Sequence, residues 1–283
     1  MSASGGGIRA EVDRRILANL GCGSEWHVAW RNFDLHSSSS EVQRVDLRHG
    51  IPLADGTCDA VYHSHVLEHL QRGAASRFMI ECHRVLRSGG TLRVVTPDME
   101  AIARSYLAAL EAAESGEWSF PYDWAVLEMY DQAVREVSGG EMAAVMRKAS
   151  PDEEAVIRAR VGASLMRAIV PTKVPLTARA SQAVRARGSR ARNWAARLIL
   201  RLVYGESGPG ALEVGRFRQS GEVHLWMYDR FSLRRLMAET GFVDIRQCAA
   251  DESRIEGFNE FALDVQNGSV RKPDSIFMEG SSP

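Results

Sequence analysis

Short apolar runs separated by polar turns follow one another along the first hundred residues of the chain. Each run has the length of a single strand, and the first, at 16–20, is apolar throughout, as in a buried parallel strand. It is followed directly by Gly-Cys-Gly, and the later runs end at Asp34, Asp46, Ser64 and Pro97. The pattern therefore predicts five strands within this segment.

A helix is predicted between the fourth and the fifth strand, over 72–87. Four apolar positions recur there at core-facing helical spacing, and Gly89-Gly90 supplies the positive φ that ends helices. Strand, helix and strand in this order predict right-handed parallel crossovers. We therefore expect an α/β protein with a doubly wound, mostly parallel, seven-stranded Rossmann-like sheet.

The pattern changes after residue 98. From there to about 222 it contains helical stretches and no convincing strand. A helix at 228–242 and a strand at 243–248 then return to the earlier pattern, and either 261–265 or 275–280 supplies the last strand. The intervening segment of about 120 residues is too long for a plain connection.

These patterns predict three parts of the chain. Residues 1–14 form a flexible tail, and residues 15–99 together with 223–283 form the sheet domain. Residues 100–222 form a helical insertion after strand 5, which serves as a substrate cap or an oligomer interface.

Composition narrows the class of protein. Charged residues make up 25% of the chain and the net charge is −1, so the chain as a whole resembles neither a nucleic-acid-binding nor an acidic protein. No apolar stretch is long enough to span a membrane, and the start lacks the apolar segment of a signal peptide. The four cysteines form no C-x-x-C pair, which argues for a reducing cytoplasm and against a structural zinc site.

Polar and glycine residues stand at the ends of successive predicted strands, where open parallel sheets bind their ligands. Gly21-Cys22-Gly23 lets backbone amides approach a ligand closely. Asp34 can accept from both hydroxyls of a ribose, and Asp46 from an exocyclic adenine amine. Taken singly, the glycines predict only a tight turn and each aspartate only a turn; taken together, they predict an adenosine site.

The spacing of this site distinguishes between cofactors. Asp34 follows Gly23 by eleven positions, against about twenty in the dinucleotide fingerprint. The first crossover therefore leaves little room for a helix whose amino end holds a pyrophosphate. A cofactor with adenosine and no phosphates fits better, and a nicotinamide-dependent oxidoreductase is the weaker alternative.

Several segments resemble the class I S-adenosylmethionine-dependent methyltransferases, in particular the small-molecule branch that includes many bacterial glycan and natural-product enzymes. They are "LGCG", "NFDL", "VDLRHGIPLADGTCDAVYHSHVLEHL", "ECHRVLRSGGTLRVVTPD" and "RKPDSIFMEG". The resemblance covers 16–99 and 224–279 and leaves the insertion outside. The chain departs from the family pattern in its short first crossover and in Ser24-Glu25-Trp26, where a third glycine is common.

The resemblance implies that S-adenosylmethionine is the cofactor and assigns residues along it. The assigned cofactor contacts are Gly21, Cys22 and Gly23 for the methionine part, Asp34 for the ribose, Asp46 and Leu47 for the adenine, and His63 and Ser64 near the sulfonium, with Leu35 among the remaining contacts.

Methyl transfer to a hydroxyl needs a general base within reach of its proton. His65 follows the fourth strand, and His224 follows the insertion, where it either faces the acceptor with Tyr228 or merely caps the next helix. We expect one of these two histidines to be the base. His63, His65, Glu68 and His69 also suggest a metal site, but no further acidic ligands accompany them, so we expect no metal.

The insertion is strongly basic in its second half. Residues 155–205 contain ten arginines and one lysine and neither Asp nor Glu. A solvated helix face is the simplest interpretation. The amphipathic stretch at 190–204 also suits a membrane surface, a partner helix or a phosphate-bearing acceptor, whereas a bias this local with few aromatics argues against nucleic acid.

We therefore expect a cytoplasmic methyltransferase that O-methylates a sugar, a glycan or a related small metabolite, with a homodimer and peripheral membrane contact as further expectations. N- or C-methylation of a secondary metabolite, and a non-catalytic cofactor-binding partner protein, are the alternatives. Fold and cofactor do not determine the acceptor.

Overall fold

The computed structural model describes residues 15–37, 39–169, 194 and 196–283. The predicted tail at 1–14 and much of the basic stretch, 170–193, lie outside the described residues.

Seven strands form one sheet in the spatial order β3-β2-β1-β4-β5-β9-β6. The strands are β1 (Leu17–Leu20), β2 (Arg31–Asp34), β3 (Val42–Arg44), β4 (Cys58–Ser64), β5 (Leu86–Pro97), β6 (Val243–Cys248) and β9 (Ser275–Ser281), and β7 (Val265–Gln266) pairs with β8 (Ser269–Val270) in a separate hairpin. The five strands from β1 to β5 are parallel, whereas β9 runs antiparallel to both β5 and β6. The predicted mostly parallel, seven-stranded α/β sheet is confirmed.

The antiparallel direction of β9 has a consequence for function. Ser275, at its beginning, pairs with Pro97, at the end of β5. The residues that precede β9 therefore lie at the same edge of the sheet as the carboxyl ends of the parallel strands.

Eight described helices accompany the sheet. They are α1 (Arg72–Val85), α2 (Met99–Glu114), α3 (Phe120–Val134), α4 (Gly140–Met146), α5 (Pro151–Ile169), α6 (196–204), α7 (Ser207–Arg218) and α8 (Arg230–Glu239). Among the residues described, no helix combines the length and the apolar character that crossing a membrane requires.

The two faces of the sheet are covered differently. One face packs against α1 and α8, whose buried side chains include Phe78, Met79 and Leu233. The other face packs against Trp30 and the segment 249–264, which contains a 3₁₀ turn but no α-helix. Contacts on both faces explain why the central strands β1, β4 and β5 are buried along most of their length.

The structure corrects the end of one predicted helix, decides between the two candidates for the last strand and agrees with the predicted short first crossover. Helix α1 ends at Val85, because β5 already begins at Leu86 and the two glycines lie within that strand. The last strand of the sheet is formed by 275–281, whereas 261–265 contributes to the 3₁₀ turn and the small hairpin. No helix lies between β1 and β2, as the short spacing predicts.

The described part of the insertion has a small core of its own. Trp124, Met142, Met146 and Ile157 are buried together, and helices α3, α4 and α5 enclose them. At a kink in α5, Gly162 adopts φ 79° and approaches the backbone of the segment before β9. A Cβ at this position would lie 2.2 Å from Arg271 O, so only glycine permits this close contact.

Candidate functional site

The loop after β1 is held by hydrogen bonds to the end of β2. The Gly21 and Cys22 amides donate to Phe33 O at 2.7 and 3.2 Å, and the Gly23 amide donates to Asp34 Oδ2 at 2.8 Å. Gly21 has φ 65°, and a Cβ there would lie 2.4 Å from Val66 Cγ2. Gly23 has φ 55°, yet a Cβ there would meet no atom within 4 Å, so this side of the loop is open.

Cys22 contributes its backbone to this loop, while its thiol is buried. Burial and the nearby Asp34 carboxylate raise the pKa of the thiol to about 12. The thiol therefore stays protonated at neutral pH, which is the opposite of what a redox or metal-binding cysteine requires.

The Asp34 carboxylate is fixed in place by two backbone amides. Oδ2 accepts from Gly23 N, and Oδ1 accepts from His36 N at 2.8 Å. Each carboxylate oxygen has two acceptor sites, so each can still accept from one further donor, such as a ribose hydroxyl. The predicted position of Asp34 at the end of β2 is confirmed.

Asp46 has a partner that the sequence analysis did not consider. Arg48 donates to it from Nε and Nη2 at 2.8 and 2.7 Å, and this pairing lowers the pKa of Asp46 to about 2. Asp46 also caps the 3₁₀ turn Leu47–His49 by accepting from Arg48 N. An adenine amine would therefore share this carboxylate with the guanidinium.

Two clefts meet above the carboxyl ends of the strands. The wide cleft, of about 800 Å³, is lined by the end residues of β2 and by residues following β3 and β4, among them Asp34, Leu35, Asp46, Leu47, His65 and His69. The narrow cleft, of about 300 Å³, is lined by the β1 loop, β4 and the segment before β9, among them Gly23, Tyr62, Ser64, His65, Lys272 and Asp274. Gly21 and His65 line both clefts, which places them at the junction.

His63 and Ser64 take different positions because successive residues of a strand face opposite sides. Ser64 lines the narrow cleft, and its Oγ accepts from Lys272 Nζ at 2.9 Å. His63 is fully buried and packs edge-on against Phe78, with ring centroids 5.1 Å apart. Burial lowers its pKa to about 3, so the ring is neutral. The expectation that His63 lines the cofactor is corrected: its side chain faces the helix-covered core.

His65 lies directly at the junction, with a left-handed backbone at φ 57°. Its Nε2 lies 2.8 Å from Ser275 Oγ, and its Nδ1 lies 3.3 Å from Glu68 Oε1. Burial, together with the nearby Lys272 ammonium, lowers the pKa of His65 well below its usual value. The structure thus brings this predicted base candidate to the cleft in a neutral form that is able to accept a proton.

His224 lies deeper than His65. It is buried beside His69, with ring centroids 4.9 Å apart, and burial lowers its pKa to about 2. It does not cap α8, because that helix has a capping box formed by Asp229 and Ser232. Its neighbour in the prediction, Tyr228, is buried in the core against α8. The role of His224 as a base stays a prediction.

Comparisons with known proteins match one segment of the chain to a family. A family model described as a methyltransferase domain matches residues 19–94. The predicted class I methyltransferase family is therefore confirmed for this segment, which contains the end of β1, the strands β2 to β4, α1 and most of β5, whereas the small-molecule branch stays a prediction.

The name of one relative states its cofactor. It is a probable S-adenosylmethionine-dependent methyltransferase from Mycolicibacterium smegmatis, 48% identical over 59 residues. The match covers 19% of this chain and 22% of that protein. The cofactor named there is the one predicted from the sequence.

Solved structures of low identity were also found. One is a methyltransferase dependent on S-adenosylmethionine from Archaeoglobus fulgidus, with 10% identity and a TM-score of 0.38, over 95% of this chain and 86% of that one. Another is from Mesorhizobium loti, with 20% identity and a TM-score of 0.26, over 32% of this chain and 49% of that one.

The segment before β9 supplies residues to the narrow cleft that the sequence analysis did not single out. The Lys272 ammonium lines the narrow cleft, and within the described chain it forms no ion pair. Burial lowers the pKa of Lys272 and raises that of Asp274 to about 6. In the sequence, only the charged run Arg-Lys-Pro-Asp before a buried strand points to this segment. Its place beside the narrow cleft depends on the antiparallel direction of β9.

The arginines of the basic stretch 155–205 whose side chains the structure describes line neither cleft, whereas Arg218 of α7, from the same insertion, lines the wide cleft. Arg160 is paired with Glu128 at 2.7 Å, and Arg201 with Glu206 at 3.2 Å. Arg158 and Arg197 form ion pairs with Glu154 and Glu213. Other residues of the predicted anion-binding stretch lie outside the described residues.

Proposed function

We propose that this chain is an S-adenosylmethionine-dependent methyltransferase that O-methylates a sugar, a glycan or a related small hydroxylated metabolite. The observation that carries the proposal is the meeting of the wide and the narrow cleft at Gly21 and His65. A methyl donor in one cleft and an acceptor in the other would then react where the two join.

The residues of the wide cleft fit the adenosine part of this cofactor. Asp34 is held by two amides and keeps free acceptor capacity for ribose hydroxyls. Leu47 lines the same cleft and offers an apolar surface for the adenine. In the narrow cleft, beside the junction, the open side of Gly23 would lie along the methionine part. S-adenosylmethionine supplies an activated methyl group, so alignment by these residues provides much of the catalysis.

His65 is the residue we assign to the acceptor's proton. Its ring lies at the junction, and its Nε2 is held by the Ser275 hydroxyl at 2.8 Å. An acceptor hydroxyl that replaces Ser275 as the partner of Nε2 would be within reach of the base. The buried Glu68 carboxylate, 3.3 Å from Nδ1, would partly offset the burial and the Lys272 ammonium, which disfavour a positive charge on this ring.

Lys272 supports an acceptor that carries a phosphate or a carboxylate. Its ammonium is buried in the narrow cleft, where its hydrogen bond to Ser64 leaves further donors free. An anionic group on the acceptor would give this lysine the direct ion pair that it lacks within the described chain.

The helix α6 supports the proposed peripheral membrane contact. Leu198, Leu202 and Val203 are exposed on it, and Trp194 just before it is exposed as well. Vesicles containing anionic lipids should bind the chain, and L202E should abolish that binding. A second copy of the chain is the alternative occupant, and a concentration-dependent mass in the absence of lipid would favour it.

The activity is tested by transfer of a labelled methyl group from S-adenosylmethionine to a panel of sugars, nucleotide sugars and lipid-linked glycans. We expect a labelled methyl ether and a loss of turnover of about 100-fold or more in H65A. H27Q is the matched control, because His27 lies outside both clefts. Label on nitrogen or carbon would favour the alternative methylation, and cofactor binding without transfer to any acceptor would favour a non-catalytic partner protein.

A further inference from the structure

Below the junction, the chain gathers three side chains that can bind a metal ion. Glu68 and His69 belong to the 3₁₀ turn after β4, and His224 comes from the segment that returns from the insertion. One oxygen of the carboxylate and one nitrogen from each ring all lie within 4.8 Å of one another. The backbone holds the two segments together, since Leu225 N donates to Glu68 O at 2.6 Å.

The Glu68 carboxylate is fully buried and only half satisfied. Its Oε2 accepts from Thr96 Oγ1 at 3.1 Å, whereas Oε1 has no hydrogen-bond partner within the described chain. The ring nitrogens nearest to Oε1 are His65 Nδ1 at 3.3 Å and His69 Nε2 at 4.0 Å. A buried carboxylate oxygen without a hydrogen-bond partner destabilises the folded state. A proton or a cation between this oxygen and the histidines would remove that cost.

The His69 ring is oriented as a metal ligand would be. Its Nδ1 lies 3.2 Å from Val223 O, and a carbonyl can only accept, so Nδ1 carries the hydrogen. The lone pair is therefore on Nε2, the nitrogen on the side of Glu68. Metal-binding histidines typically donate their other N–H to a backbone carbonyl or a carboxylate in this way.

We propose that Glu68, His69 and His224 bind one divalent transition-metal ion of the zinc class. Two imidazoles and one carboxylate suit zinc and its neighbours better than magnesium or calcium, which prefer oxygen ligands alone. Three protein ligands with an open fourth position are typical of catalytic rather than structural zinc sites. Tetrahedral zinc holds its ligand atoms roughly 3.3 Å apart, so the side chains must close in by rotation on binding.

The open position of this metal site faces the wide cleft. His69 is part-exposed there, while Glu68 and His224 are buried behind it. That position lies next to the junction at His65, so an acceptor that reaches the junction from the narrow cleft would bring its oxygen close to the ion. This use of the ion rests on the proposed function, whereas binding of the ion does not.

The proposal departs from the expectation of no metal. From the sequence alone, the histidines around Glu68 lack a further ligand from elsewhere in the chain. The fold supplies that ligand, because it brings His224 from 155 positions along the chain into contact with His69. No spacing rule connects residues this far apart.

The test is metal binding by the full chain after treatment with a chelator, without cofactor or acceptor. Zn²⁺ binding is followed by calorimetry, and Co²⁺ binding by the visible absorption of the tetrahedral ion. We expect one ion per chain and at least 100-fold weaker binding in both E68Q and H224Q. H27Q is the matched control and should bind as the parent does.

Folding of the variants is checked by thermal unfolding with and without Zn²⁺. The ion should raise the Tm of the parent and of H27Q but not that of E68Q or H224Q, since a ligand stabilises only the state that binds it. Absence of stoichiometric binding, or equal binding by all four proteins, would overturn the proposal and leave a proton shared between Glu68 and His69. Neither result bears on cofactor binding, so failure of this proposal is distinguishable from failure of the methyltransferase proposal.

Discussion

At the scale of single residues, the site depends on what each backbone position permits. Gly21 and Gly23 both have positive φ, but they do so for different reasons. Gly21 is packed against Val66, whereas Gly23 has no atom near the place where a side chain would begin. The first glycine is therefore required by the fold, and the second leaves room for a ligand.

This difference predicts that alanine at Gly21 mainly lowers stability, whereas alanine at Gly23 mainly weakens ligand binding. G21A should lower the free energy of unfolding by about 3 kcal/mol, from left-handed strain and overpacking together. G23A should cost only about 1 kcal/mol of stability but weaken S-adenosylhomocysteine binding at least tenfold. Denaturant unfolding and calorimetry measure the two effects. Equal stability loss in both variants, or unchanged affinity in G23A, would contradict the assignment.

Asp274 makes stability depend on pH. Burial and the nearby Glu128 raise its pKa to about 6, against 3.8 for an ordinary aspartate. The folded state therefore holds this proton more tightly than the unfolded state. The resulting stabilisation is fully present below about pH 4 and is lost as the pH rises through 6, an effect of up to about 3 kcal/mol.

The variant D274N removes this titration. Its free energy of unfolding, measured relative to the parent, should increase between pH 4 and pH 7.5 and then stay level. Denaturant unfolding at several pH values gives the difference directly, and other titrating groups cancel in it. A difference that is constant with pH, or that falls as the pH rises, would show that Asp274 is not protonated in the folded protein below pH 6.

At the scale of elements, the insertion contacts the sheet close to the narrow cleft. The kink of α5 at Gly162 rests against Arg271 O, next to Lys272. Val161 and Gln132, from α5 and α3, line the same cleft. The packing of these two helices thus sets the width of the space in which the acceptor is proposed to bind.

G162A should disturb this packing, because its Cβ would lie 2.2 Å from a backbone oxygen and its φ is 79°. We expect a stability loss of about 3 kcal/mol and a higher KM for the acceptor, with cofactor affinity little changed. The matched control is G210A in α7, where a Cβ would meet no atom within 4 Å. If G162A raised the cofactor Kd and left the acceptor KM unchanged, the claim that the packing of α5 sets the width of the narrow cleft would be wrong.

At the scale of the whole molecule, sequence patterns predicted the strands of the sheet well but the side-chain contacts between distant segments poorly. Periodicity and turn residues located the end of β4 at Ser64 and both ends of β6 at 243 and 248 to the residue. Arg93 shows the limit of such patterns. It is fully buried within β5, where it pairs with Asp264 at 2.7 Å and Glu279 at 2.9 Å.

The pairings of Arg93, like the contact of His69 with His224, join segments that are far apart in the chain. The pairing of Asp46 with Arg48 is local, but it depends on the direction of the two side chains. The strand-end residues could be predicted, since parallel strands share one ligand-binding edge. The contribution of Lys272 could not, because it depends on β9 running antiparallel. His63 was misplaced for a related reason: alternation along β4 sends it to the opposite face from Ser64.

The central claim is that the carboxyl edge of this sheet binds S-adenosylmethionine with Asp34 on the ribose. Calorimetry with S-adenosylmethionine and S-adenosylhomocysteine tests it most directly. We predict one site per chain for each, and a loss of affinity of about 30-fold in D34A, the equivalent of losing hydrogen bonds to a charged group. D55A, at an exposed carboxylate outside both clefts, should bind normally. No binding of either compound, or binding of NAD in their place, would contradict the account.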